Sequence, residues 1–303
     1  MRSSAATTLK WAWILGVGIL AGWLLYRARS DVAEMLRRTS PTLLLATAGA
    51  MVGAKLLLAE NARIAASRAG IELGFATAAR LYNLSQLGKY IPGSVWQFVG
   101  RAAAYRHRGA SYTSIRDALL VESLWIVAGA ALAGTLLAGP ALLHLAEPWL
   151  QEAQLAWGVG MAVAGLIAVL VVALRWREAA IRYLHLALPS ARVVVGQVGI
   201  WCLLGLAFWL LVRACGMHVP LVFAAGLFAF AYALGFLVLF APAGLGVRDA
   251  VLTLGLLPYV PAGEAVAVTV LARALYLLVD VGLALGQEPL FALASSRRPP
   301  RSL

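Results

Sequence analysis

The feature that most constrains this chain is a succession of apolar runs, each close to the length of a helix that crosses a bilayer. Such a helix needs about 20 mostly apolar residues. Residues 11–26, 42–59, 117–138, 156–174, 193–212 and 262–285 qualify, the first with help from flanking side chains that reach the interface. Two further apolar segments are interrupted: residues 81–103 at Ile91-Pro92-Gly93, and residues 221–260 at Ala241-Pro242-Ala243-Gly244-Leu245-Gly246. With 62% hydrophobic and 13% charged residues, the chain cannot cover a water-exposed surface, since soluble domains carry roughly 25% charged residues. The expected fold class is an all-α polytopic membrane protein with about six full spans and two Pro/Gly-broken re-entrant segments. Residues 1–288 are expected to form one transmembrane domain, and residues 289–303 a short basic cytoplasmic tail. No cleavable leader is expected, because Tyr26-Arg27-Ala28-Arg29 is a poor cleavage context.

The net charge of +12 is spread between the apolar runs rather than gathered in a basic domain. That excludes nucleic-acid binding and fits attraction to anionic leaflet lipids. The stretch 101–116 holds Arg101, Arg106, Arg108 and Arg116, the stretch 175–192 holds Arg175, Arg177, Arg182 and Arg192, and the tail holds Arg297, Arg298 and Arg301. Residues 139–155 have no Lys or Arg and carry Glu147 and Glu152. Cytoplasmic loops carry an excess of Lys and Arg, so the first three belong inside and the last outside. Both termini of this multi-pass cell-membrane protein are then cytoplasmic, if both broken segments enter and leave on one side. Residues 27–38 resist, with four Arg placed outside beside Asp31 and Glu34. The competing topology puts the N-terminus outside and makes 81–103 a true crossing.

The broken segments match in layout. Pro92 precedes Glu122 by 30 residues and Pro242 precedes Arg273 by 31. One break falls on the inner side and the other on the outer, as in inverted repeats whose broken helices meet near the midplane. The halves are about 42–138 and 193–285. Proline removes a backbone donor and frees the backbone groups around it. Inside a membrane this is tolerated where protein or a polar cavity satisfies them. Pro92, Gly93, Pro242, Gly244 and Gly246 are therefore expected to face the interior. A packing kink is the plainer reading of either break alone.

Charges at membrane depth are the candidate site. Lys89, Arg101, Glu122, Arg248, Asp249, Arg273 and Asp280 lie in or beside apolar segments. A central charge costs about 2.5–3.5 kcal/mol on insertion scales and usually faces the bundle interior. Glu122 and Arg273, at corresponding places in the two halves, are the expected ion pair. Arg273 and Asp280, seven residues apart, share a helix face. Lys89, Arg101, Glu122, Arg248, Asp249 and Arg273 form the expected substrate-binding set. Arginine suits phosphate, half-helix N-termini favour anions, and a phospholipid head group is the natural occupant. The competing readings are an ion pair that only fixes packing, and snorkelling of Lys89, Arg101 and Arg248.

Catalytic patterns are missing. His107, His144, His185 and His218 are scattered, no HExxH, GxSxG or Walker pattern occurs, and Cys202 and Cys215 read as small buried hydrophobes. The expectation is a non-enzyme without metal or cofactor. The GxxxG steps Gly18–Gly22, Gly49–Gly53 and Gly282–Gly286 predict close helix packing.

Asn83-Leu-Ser-Gln-Leu-Gly-Lys-Tyr-Ile-Pro-Gly-Ser-Val-Trp-Gln-Phe-Val-Gly-Arg, then Gly109-Ala-Ser and Glu122, resembles the lysylphosphatidylglycerol synthase/flippase transmembrane family. So does Ala241-Pro-Ala-Gly-Leu-Gly-Val-Arg-Asp with Ala272-Arg273. The likeness runs from about Trp11 to Gln287. It implies a membrane domain that moves lipids between leaflets. Pro92, Gly93, Arg101, Glu122, Pro242, Gly244, Gly246, Arg248 and Arg273 are the positions that carry the family motif. Where the family's second motif usually reads Pro-Gly-Gly-Leu-Gly with a Glu soon after, this chain has Pro-Ala-Gly-Leu-Gly-Val-Arg-Asp. The sequence ends at Leu303 without the aminoacyl-transferring domain of bifunctional members, which puts an aminoacylated substrate in doubt. The expected function is a lipid transporter or flippase for an anionic or lipid-phosphate head group. The alternative is a non-transporting accessory subunit of an envelope lipid or glycan synthesis complex. Expected partners are a phospholipid or polyprenyl-phosphate-linked lipid, a second copy of the chain or a lipid-synthesis enzyme, and no nucleic acid.

Overall fold

The computed structural model describes residues 29–91, 95–146, 183, 185–237 and 246–296, with Trp23 and Tyr26. The predicted spans 11–26 and 156–174, the breaks at Pro92, Gly93, Pro242 and Gly244, and the tip of the tail lie outside the described residues. Described regular structure is helical: α1 (Arg29–Arg38), α2 (Pro41–Arg68), α3 (Phe75–Gln86), a 3-10 turn (Leu87–Tyr90), α4 (Trp96–Arg106), α5 (Tyr112–Ala146), α6 (Ala191–Ala214), α7 (Leu221–Leu237), α8 (Val247–Leu256) and α9 (Ala262–Ser296). Within these, Pro41–Arg68, Tyr112–Leu143, Ala191–Ala214 and Ala262–Gln287 are long and apolar enough to cross a membrane. They coincide with four of the six predicted runs.

From α2 onward the order long, short, short, long occurs twice, as α2–α5 and as α6–α9. The first long helix of each half stops by the same local device. The amide of Ile71 returns to Ala66 O at 2.8 Å across Gly70 (φ +81°), and that of Met217 returns to Val212 O at 3.2 Å across Gly216 (φ +80°). Both glycines adopt the left-handed conformation that closes helix C-termini. Packing follows the same plan: α2 lies along α6, α5 crosses α7, and α9 packs on α3. Phe208, Leu211, Leu227 and Phe228 fill the shared core. Leu45, Leu136, Leu278 and Leu285 stand exposed on the outside. So many exposed large apolar side chains on long apolar helices are stable against acyl chains rather than water. The chain is accordingly a multi-pass membrane protein.

Two sequence expectations about packing fail. Gly49, Gly282 and Gly286 face open space, and Gly53 merely abuts Leu203, so the described GxxxG steps are not tight crossings. A tight crossing lies instead between α5 and α7, where a Cβ on Gly226 would fall 2.5 Å from the Ala138 amide nitrogen. Cys215 is buried as expected, but Cys202 is exposed on α6, because it falls on the outward face of that helix.

Candidate functional site

The site starts at the 3-10 turn. A Cβ on Gly88 would fall 2.7 Å from the Gln97 amide nitrogen, so only glycine lets the turn lie against the start of α4. This placement delivers Lys89 and Tyr90 to Asp280 on α9. Asp280 is 1% exposed. Its Oδ1 lies 2.5 Å from Lys55 Nζ and its Oδ2 lies 2.5 Å from Lys89 Nζ. The Tyr90 hydroxyl donates to Oδ2 at 2.7 Å. One buried carboxylate thus joins α2, the turn and α9. Removing either ammonium leaves the other to neutralise it, which makes Asp280 the hub.

Two arginine–carboxylate pairs flank this hub. In the first half, Arg101 on α4 donates through Nη1 to both carboxylate oxygens of Glu122 on α5, and Arg101 is 2% exposed. Its guanidinium lies 4.9 Å from the Tyr82 ring centre. In the second half, Arg273 on α9 donates from Nη2 to Asp249 Oδ2 at 2.7 Å and Oδ1 at 3.0 Å, and from Nε to Oδ1 at 3.2 Å. Asp249 Oδ2 also accepts from the Gly246 amide at 3.0 Å, capping α8. Both pairs therefore tie the short helix after the break to the long helix that follows it, with the signs exchanged. The expected pair Glu122–Arg273 does not form. Nor does Arg273 act with Asp280, since their partners lie on different neighbours of α9. Each arginine closes on a carboxylate within its own half, on the adjacent helix of the same local helix pair. Snorkelling is also excluded for Arg101 by its burial.

Arg248 differs from both. Its guanidinium sits 4.5 Å from the Phe228 ring centre, 4.9 Å from that of Tyr276 and 5.8 Å from that of Tyr232. It forms no ion pair with a described residue. Aromatic faces partly replace the water it has lost.

These groups surround a cavity of about 480 Å³, within the range of small-molecule sites. Lys55, Lys89, Arg101, Arg116 and Arg248 line it, with Glu122 as the acid in its wall. Arg116 is paired with Asp117 at 2.9 Å. Leu58, Ile126, Leu204 and Phe236 supply apolar walls. A second space of about 30 Å³ is bounded by Lys89, Arg248, Asp249, Arg273 and Tyr276, so Lys89, Arg248 and Tyr276 form the partition between the two. Among the described residues no group of His, Cys, Asp or Glu is arranged to hold a metal ion.

Of the expected binding set, Lys89, Arg101, Glu122 and Arg248 meet in the larger cavity, and Asp249 and Arg273 bound the smaller. Sequence reasoning passed over Lys55, Tyr82, Tyr232 and Tyr276. Lys55 left a signal, a lone cation within the apolar run 42–59. The tyrosines left none, because aromatic residues are common in such helices.

The family described as "Lysylphosphatidylglycerol synthase TM region" matches residues 13–284. No curated protein matches the chain.

Proposed function

We propose that this chain, which belongs to the lysylphosphatidylglycerol synthase transmembrane family, is a lipid transporter that carries an anionic head group between leaflets. Family membership supports a membrane role in lipid or head-group handling. The carrying observation is the cavity itself: five basic side chains line it, more than the carboxylates of Glu122, Asp117 and Asp280 that pair with them, between apolar walls inside a bundle of membrane helices. An anionic head group would neutralise the cations while its acyl chains remain among apolar side chains.

The alternating-access reading rests on the two-fold plan of the helices. The repeated helix order, the shared C-terminal device and the exchanged Arg–carboxylate pairs all favour two inverted halves with re-entrant broken segments. In this topology both termini are cytoplasmic, the α4–α5 connection is inside, and the α8–α9 connection is outside.

The test is leaflet exchange. Purified protein is reconstituted into vesicles with labelled anionic lipids, and the accessible label is quenched over time. The expected result is protein-dependent exchange, lost in Arg248→Ala and slowed in Arg273→Ala. Exchange unchanged in both variants overturns the site, and no exchange of any anionic lipid by folded protein overturns transport.

A further inference from the structure

The ion pairs do not balance evenly around the cavity. Arg101 with Glu122, Arg273 with Asp249, and Arg116 with Asp117 are each neutral units. What is left is Lys55, Lys89 and Arg248 against the single carboxylate of Asp280. With all three protonated, three cations face one anion, an excess of two positive charges among the described residues. The three cations converge on one ring: Lys55 Nζ lies 5.4 Å, Lys89 Nζ 5.9 Å and the Arg248 guanidinium 4.9 Å from the centre of Tyr276. Tyr276 is 7% exposed, and its buried hydroxyl has the Arg248 guanidinium as its neighbouring donor.

Resting on the transport proposal above, we infer that the partition formed by Lys89, Arg248 and Tyr276 is a phosphate subsite selective for a phosphomonoester, not a phosphodiester. Two positive charges call for two negative ones. A monoester supplies about −1.5 to −2 at pH 7 and three acceptor oxygens, with a second pKa near 6. A diester supplies one charge and leaves one cation uncompensated in a low-dielectric site, where unpaired charge is costly. The guanidinium offers a bidentate fork for two of the phosphate oxygens, and the Tyr276 hydroxyl and Lys89 ammonium supply donors for the third. Two ammonium groups on one carboxylate also repel each other, and an arriving dianion gives Lys89 a second partner. The substrate class is therefore a lipid ending in a phosphate monoester, with free phosphate as the other source of the same chemistry.

Titration calorimetry on the full chain in detergent tests this with hexyl phosphate, hexyl methyl phosphate and inorganic phosphate. At pH 8 hexyl phosphate should bind about tenfold or more tighter than its methyl diester, the order expected for one charge-assisted hydrogen bond. The gap should close by pH 5, where the monoester is singly charged. Arg248→Gln and Tyr276→Phe should each shrink the preference, and Arg248→Lys should restore part of it. Equal affinities for monoester and diester at pH 8 overturn the inference. Inorganic phosphate binding as tightly as hexyl phosphate supports the subsite but assigns it to the free ion. Leaflet exchange separates the two proposals. Phosphatidic acid exchanged faster than phosphatidylglycerol supports both. Equal exchange of the two lipids overturns the selectivity and leaves transport standing. A monoester preference in calorimetry without exchange of either lipid overturns transport and leaves the subsite standing.

Discussion

Arg101 and Glu122 are both nearly inaccessible, and a buried pair behaves differently when one member or both are removed. Removing one partner strands a charge and typically costs about 3–5 kcal/mol, whereas replacing both by apolar residues of similar volume is often neutral. Arg101→Met should therefore lower the melting temperature in detergent sharply, and adding Glu122→Leu should recover most of the loss. Asp280 extends the argument, because it holds two lysines. Asp280→Ala leaves Lys55 and Lys89 facing each other and should destabilise more than Lys55→Met, which keeps the Lys89 partner. Melting curves that rank Lys55→Met as the more damaging would show that the hub is not Asp280. That these residues were charged at membrane depth was legible in the sequence, since a lone charge in an apolar run stands out. Which cation meets which anion was not. Lys55 and Asp280 lie 225 residues apart, and no spacing rule reaches that far.

Among the helices, the crossing of α5 and α7 is set by backbone approach. Gly226 faces the Ala138 amide nitrogen, and a Cβ on Gly134 would fall 2.6 Å from that of Phe230. Backbone cannot step aside as a flexible side chain does, and overpacking typically costs about 1–3 kcal/mol. Gly226→Val should lower melting temperature and folded yield by size-exclusion chromatography, while Gly286→Val, in open space, should leave both unchanged. Helix positions were mostly readable, because four of the long helices coincide with apolar runs and their ends with Ser40-Pro41, Gly70 and Gly216. The contacts were misread from GxxxG spacing. Spacing states that small residues share a face and says nothing of whether another helix lies on it.

For the molecule as a whole, the proposed inverted arrangement puts the α4–α5 and α8–α9 connections on opposite membrane faces. With Cys202 and Cys215 replaced by alanine, a membrane-impermeant maleimide added to intact cells should label Ala262→Cys and spare Arg108→Cys until the cells are opened. Labelling of both from outside would rule out the inverted arrangement. The same arrangement predicts that Arg248→Gln impairs exchange in both directions, because one partition serves both openings.

What the sequence determined by itself was the solvent this chain folds in, four helices long and apolar enough to span it, and the glycine turns that end two of them. Those features follow from local physics: apolar length against bilayer thickness, and the hydrogen bonds that proline and glycine change. Tertiary structure decided the rest. It closed Arg101 on Glu122 and Arg273 on Asp249, gave Asp280 two lysines, and left Arg248 among aromatic rings with no ion pair to a described residue. Charge pairing in a low-dielectric interior depends on which helices come within a few ångströms of each other, and that distance is a property of the packed bundle.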